Sequence, residues 1–380
     1  MTVIVVHLSS VHPPYDVRIF TKECTTLAEA GYRVSYIAPH DRSENVDGVE
    51  IVPLKASRSR LTRILTGPWR VLAAARRADG DIYHLHDPEL IPVAVALKLL
   101  GKRVVFDVHE DMYAQIMSKP WIPSVLRQPV GWLSGLAQRR AGRWFDAFVA
   151  ATPRIAAGLD GCKVVTVQNY PKKNELSNEQ REAVEERKAA FVYVGGITRI
   201  RGAREMVEAI NRVPERYEPE LWLAGTFESE ELRRELESLP GWSRTRYFGQ
   251  VDRDGVRMLL AGARAGLVLL QPVPNYLESY PTKMFEYMSA GLPSIASNFE
   301  YWSNMPKLRA CVAFVDPRDA DLISAAMQTI LDNPESAEAM GRNGRQLIEA
   351  RLNWEYDAQK LLQLYAHISR AGNIGCETVR

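Results

Sequence analysis

Apolar residues fall along this chain in short continuous blocks, separated by longer stretches with helical spacing. A block at residues 3–8 leads into a polar loop, SSVHPPYD, and then a helix that runs to Ala30 and stops at Gly31. Strands are predicted at 33–38 and 49–54, a helix over about 61–78, and a strand at 82–85. A helix over 88–100 ends at Gly101 and precedes a strand at 104–108. A long amphipathic region, about 120–143, leads to strands near 145–150 and 164–167. Continuous rather than alternating apolar strands are those buried on both faces, and helices between them predict a doubly wound parallel sheet.

The pattern breaks at NYPKKNELSNEQREAVEERK, residues 169–188, a polar and charged stretch that reads as a linker. Alternation then restarts with a strand at 190–194, a glycine-containing loop and a helix over 202–213. Strands at 221–224 and 246–248 enclose a helix at 229–239, and a helix at 252–263 precedes an apolar strand at 265–270. That strand enters a polar loop, a helix over about 281–290 and a further strand after Pro293; helices follow at 319–331, 334–350 and 354–368. The division expected is 1–168 and 189–352, each Rossmann-like, with 353–380 as a C-terminal helix. Two such halves would leave a cleft suited to a two-substrate reaction.

Composition narrows the class. With 380 residues, 46% apolar and 25% charged, the chain is globular and long enough for two domains. The four cysteines form no closely spaced pair, which argues against a zinc site and a disulfide framework and fits a reducing cytoplasm. No apolar run approaches the ~20 residues that span a bilayer, and the first residues do not read as a signal peptide. Net charge is +2, yet residues 1–168 hold 21 Lys and Arg against 16 Asp and Glu. Residues 55–78 and 112–145 include acid-free basic stretches interleaved with tryptophan, a composition that suits an anionic membrane face.

Several constellations can carry chemistry. Glu278 and Glu286 bracket a loop and helix start, SYPTK, with seven residues between them. Amides around Ser279, Tyr280, Pro281 and Thr282 favour an anion, and the two carboxylates favour a hydroxyl-rich body. The loop VGGITRIRGARE offers Gly195 and Gly196 for close backbone approach, and Arg199, Arg201 and Arg204 for phosphate. It is neither GxGxxG nor a P-loop, which counts against NAD and ATP. YHLHDPE and FDVHEDM gather His84, His86, Asp87, His109 and Glu110 at strand ends. A metal is disfavoured there because an i, i+2 histidine pair on a strand lacks helical ligand spacing; His84 and His86 read as sheet-edge residues and Asp87 as a helix cap. The DRD at 252–254 reads as a cap rather than a metal motif.

Taken together, these pieces resemble a retaining GT-B glycosyltransferase of family 4. ESYPTKMFEYMSAGLPSIAS is similar to that family's paired-glutamate segment, matching at Glu278, Glu286, Met288, Ala290, Gly291, Pro293, Ala296 and Ser297. VGGITRIRG resembles its donor-phosphate loop, with Gly196 and Arg201 where an Arg and a Lys are usual; DVHED holds His109 in the place of the active-site histidine. RLNWEYDAQKLLQLY is similar to the helix that in this family returns to the first domain. The resemblance implies transfer of a sugar from a UDP- or GDP-type nucleotide sugar to a hydroxyl acceptor, with retention and without metal or other cofactor, in bacterial polysaccharide or glycolipid synthesis. It implies catalytic roles for His109 and Glu278, and donor contacts from Gly196, Arg199 or Lys283, Arg201, residues 279–282 and Glu286. Acceptor contacts are expected from His12, Tyr15, Asp16 and Arg18, with a sugar or lipid-linked acceptor at the inner membrane face. The rival readings are a GT-B sugar-nucleotide 2-epimerase and a non-catalytic sugar-nucleotide-binding subunit.

Overall fold

A computed structural model describes residues 2–55, 59–109, 112–117, 122–159, 163–176, 187–277 and 279–370. The chain forms two compact units, Met1–Asn169 joined by the segment from Trp354 onward, and Tyr170–Asn353.

The first unit holds strands β1 (Ile4–Leu8), β2 (Arg33–Pro39), β3 (Glu44–Val46), β4 (Val49–Leu54), β5 (Ile82–Leu85), β6 (Arg103–Val108), β7 (Ala147–Ala150) and β8 (Lys163–Thr166). They form one sheet in the order β3-β4-β2-β1-β5-β6-β7-β8. All pair in parallel except β3 with β4. The hairpin β3–β4 escaped the apolar pattern because β3 is short and polar; its turn, Asp47–Gly48, has both residues at positive φ, as a two-residue hairpin of primed type requires.

Both faces of this sheet are buried, as its continuous apolar strands require. Val5, Val34, Tyr36, Ile82, Val105 and Val149 pack with Ile19, Leu27, Trp354, Leu361 and Tyr365 on one face. Val6, Leu8, Tyr83, Leu85, Phe106 and Phe148 pack with Val71, Ala75, Val93 and Leu97 on the other. The helix after the first loop is shorter than expected and enters through π-helical turns, Ile19–Cys24, before an α-helical Thr25–Glu29. The long amphipathic region holds the helix Ser124–Ala141, and a short helix, Met112–Met117, precedes it.

In the second unit, β9 (Ala190–Val194), β10 (Glu220–Ala224), β11 (Thr245–Tyr247), β12 (Ala265–Val268), β13 (Ser294–Ser297) and β14 (Val312–Val315) form an all-parallel sheet. Its order is β11-β10-β9-β12-β13-β14. Strand order therefore reverses between β9 and β12, and between β1 and β5 in the first unit, the switch points where open α/β sheets leave a crevice for ligands. Side chains alternate across β9, with Val192 packing on one face and Phe191 and Tyr193 on the other.

Candidate functional site

The crevice of the second sheet is built from the end of β9. Gly195 and Gly225 both sit at positive φ, and a Cβ on Gly225 would lie 2.0 Å from the Gly195 carbonyl oxygen. Only glycine permits that approach. A Cβ on Gly195 would lie 2.5 Å from Lys283 Cε, and one on Gly196 would lie 3.0 Å from Arg201 Nη1. Lys283 and Arg201 thus converge on the glycine pair from separate elements, the helix Thr282–Ser289 and the short 3₁₀ turn Arg199–Arg201. Tyr193 donates its hydroxyl to the Gly196 carbonyl at 2.8 Å, and the Lys283 ammonium lies 5.7 Å from the Tyr193 ring centre.

Burial, and then the like charge of Arg201, lower the Lys283 pKa. Among the described residues neither cation has a carboxylate salt-bridge partner. Two adjacent cations in a half-buried crevice form a site for an anion carrying more than one charge. Of the two residues that could supply the charge missing from that loop, Lys283 is the one that lies against the glycine pair. Arg199, the other candidate, is turned away into an ion pair with Glu235, which Arg204 shares at 2.7 Å.

Helix Thr282–Ser289 begins one residue later than expected, with Pro281 at the cap position. The loop before it is pinned: Trp302 Nε1 donates to the Ser279 carbonyl at 2.7 Å, and Tyr280 packs among Tyr170, Phe285 and Tyr301. Glu286 keeps 25% of its side chain exposed and accepts from Arg253 at 3.0 Å; Arg253 also pairs with Glu175. Glu278 lies outside the described residues. The DRD reading as a cap holds, since Asp252 accepts from the Gly255 amide at 2.8 Å.

The first unit gathers its polar groups differently. His109 Nε2 lies 2.9 Å from Asp107 Oδ2, with its ring 5.2 Å from that of His12 and 21% of the side chain exposed. Asp107 is buried and grips Arg18 through Nε and Nη2, both at 2.9 Å, while Arg18 Nη1 donates to the Val167 carbonyl at 2.9 Å. This corrects the acceptor role expected of Arg18: it is 5% exposed and its guanidinium is committed to protein partners. Asp16 accepts the Arg18 and Ile19 amides at 2.9 Å and faces His12 at 3.2 Å. Tyr15 stays exposed and donates to Glu44.

Two further expectations are corrected. His84 and His86 are not at a sheet edge: β5 lies between β1 and β6, and both side chains are buried. Asp87 does not cap the turn Pro88–Leu90; it takes the Ser10 amide at 2.6 Å and the Ser9 hydroxyl at 2.9 Å, anchoring the first loop to the end of β5. The serines in SSVHPPYD were the signal for this pairing.

Comparison with known proteins agrees with this fold. Residues 174–347 match the glycosyl transferases group 1 family and residues 17–169 match the glycosyl transferase 4-like domain. Between them the two matches take in most of the chain. The chain has the GT-B glycosyltransferase fold.

The chain superposes on sucrose-phosphate synthase from Thermosynechococcus elongatus with a TM-score of 0.77 at 19% identity, covering 98% of this chain and 100% of that one. HepE of Anabaena in complex with UDP-glucose gives 0.71 at 13%, covering 97% and 100%. At such identities the likeness is one of fold. Among curated relatives, glycogen synthase of Mycobacterium tuberculosis is 28% identical over 130 residues, 33% of this chain. The match spans 29% of that relative's length.

The surface of the first unit carries a feature the sequence announced. Trp69, Trp132 and Trp144 are 73%, 63% and 53% exposed, beside Leu65, Val125 and Leu133, on segments bearing Arg63, Arg70, Arg127, Arg139, Arg140 and Arg143. These tryptophans do not pack inward. Among the described residues no helix is long and apolar enough to cross a membrane.

Proposed function

We propose that this chain transfers a sugar from a nucleoside-diphosphate sugar to a hydroxyl acceptor with retention of configuration, the diphosphate lying against Gly195–Gly196, Lys283 and Arg201. The observation that supports this best is the convergence of the two cations on the glycine pair at the switch point of the second sheet. Breaking the bond between the anomeric carbon and phosphate leaves a diphosphate and an oxocarbenium-like sugar. Each pre-organised cation or donor on that leaving group is worth about 3 kcal/mol in the transition state, so Lys283 and Arg201 take the place a metal ion fills elsewhere.

Glu286, which pairs with Arg253, accepts the ribose hydroxyls. Glu278 orients the donor sugar by its hydroxyls. His109, held by Asp107, stabilises positive charge at the sugar. His12, Tyr15 and Asp16 contribute to the acceptor site; Arg18 does so only by holding Asp107. The exposed tryptophans among arginines suit an acceptor carried on an anionic lipid surface, and the setting this implies is bacterial polysaccharide or glycolipid synthesis.

A thermal-shift screen over UDP-, GDP- and ADP-sugars tests the donor assignment, because a ligand that binds only the folded chain raises its melting temperature. One sugar nucleotide raising it in wild type and failing to do so in Glu286→Ala supports the reading; a flat response to every one contradicts it. Sedimentation with anionic liposomes at low salt tests the membrane face, and absence of association there refutes it.

A further inference from the structure

The first sheet buries a cluster that sugar transfer does not use. His7 of β1 pairs in register with His84 of β5, so both imidazoles point to the same face, and His86 follows two residues on. Their ring centres lie 4.6 to 5.2 Å apart. Glu23 reaches the same place from the π-helical turns Ile19–Cys24, a distortion that often serves to aim a functional side chain. His7, Glu23 and His84 have no exposed surface, and His86 has 3%.

Burying these groups is costly unless their polar atoms are satisfied. They are satisfied only in part: His7 Nδ1 and His86 Nε2 share a hydrogen bond at 2.9 Å. Of ten buried side-chain atoms without a hydrogen bond among the described residues, four lie here: His7 Nε2, His84 Nε2 and both oxygens of Glu23. Arg18 Nε stands 3.3 Å from Glu23 but is already bonded to Asp107. The other edges of two rings are occupied in the manner of metal ligands, whose second nitrogen is held by a neighbour. His84 Nδ1 meets the Tyr365 hydroxyl at 2.8 Å, and His86 Nδ1 faces Asp107 at 3.4 Å.

We propose that His7, Glu23, His84 and His86 bind one divalent transition-metal ion of the zinc class, as a closed structural site that ties β1 and β5 to the Ile19–Cys24 segment. Each side chain offers one ligand atom, and these atoms lie within 4.8 Å of one another. Three imidazoles and a carboxylate match a zinc donor set, and four protein ligands leave no open position for substrate. Ligands on one zinc ion sit about 2.0–2.2 Å from it, so loading draws the four side chains inward. The inference stands apart from the donor site and from any role of metal in transfer.

The test uses the full chain, purified through a chelating resin. Wild type is expected to carry about one zinc per chain by mass spectrometry of the metal, and to give a tetrahedral cobalt spectrum after exchange. Glu23→Gln keeps the side-chain shape and is expected to lower metal affinity by roughly 10-fold or more, as is His84→Ala. His367→Ala, removing an exposed histidine, is expected to keep the metal and serves as the control for adventitious binding. A metal-free wild type that takes up neither zinc nor cobalt, with an unmoved melting temperature, overturns the proposal. So does a Glu23→Gln variant that holds zinc as tightly as wild type. If His84→Ala does not fold, the wild-type titration and Glu23→Gln still decide.

Discussion

The two sheets share a parallel doubly wound plan but treat charge in opposite ways. Beneath the first sheet, Arg18 and Asp107 are buried and satisfy one another, so the charge is internal to the fold. At the crevice of the second, Lys283 and Arg201 are half-buried, adjacent and of one sign. A neutralised pair holds structure; an un-neutralised pair of like charges favours an anion beside it. On the proposed function, arginine therefore serves stability in one unit and binding in the other.

That contrast can be broken most severely at Arg18. Removing one partner of a buried ion pair strands the other charge, at a cost of about 3–5 kcal/mol. Arg18→Ala is expected to unfold at markedly lower denaturant, whereas Arg201→Ala should stay within about 0.5 kcal/mol of wild type, as for surface changes. Equal losses in the two would erase the distinction. Next in size is Glu286→Ala. Hydrogen bonds to a charged group contribute about 1.5–3 kcal/mol, so nucleoside diphosphate affinity should fall by roughly 10- to 100-fold. A 2′,3′-dideoxy analogue should bind wild type and variant alike; a preserved difference would remove Glu286 from the ribose.

Gly195→Ala is expected to cost about 1 kcal/mol in stability, since Gly195 has a φ of +134°, and to weaken donor binding by displacing Lys283. The smallest effect is a pH window at the first loop. Burial works against charge on His12, but its hydrogen bond to Asp16 and the nearby carboxylates prevail and raise its pKa. Burial likewise opposes ionisation of Asp16, and His12 with the Ile19 and Arg18 amides outweighs it, lowering that pKa. The His12 contribution is complete below the unfolded value of 6.5 and lost as pH rises through the folded one. The Asp16 contribution is complete above 3.8 and lost as pH falls. Stability from this pair should peak between these limits and disappear in Asp16→Asn, as thermal melts across pH would show.

Much of the fold was legible because strands buried on both faces are continuous apolar runs, as at Ile82–Leu85, which has the predicted bounds. The short β3 was not, since its signal lay in Asp47–Gly48 rather than in apolar residues. In the site, the glycines and Glu286 could be read from spacing and resemblance. The choice between Arg199 and Lys283 could not, because Lys283 lies far along the chain and only packing brings it against Gly195. Burial of Arg18 and His84 escaped for a similar reason: neither side-chain type reports whether a partner such as Asp107 or Tyr365 waits across the sheet.

The account rests on the second crevice being a diphosphate site, and Lys283→Ala examines that most directly. Calorimetric titration of wild type and variant with a nucleoside diphosphate and with the matching nucleoside separates phosphate from base. Loss of one desolvated charge-assisted contact corresponds to about 1.5–3 kcal/mol. The diphosphate should therefore bind the variant at least roughly 10-fold more weakly, while nucleoside affinity stays unchanged. A Lys283→Ala variant that binds the diphosphate as wild type does would contradict the assignment.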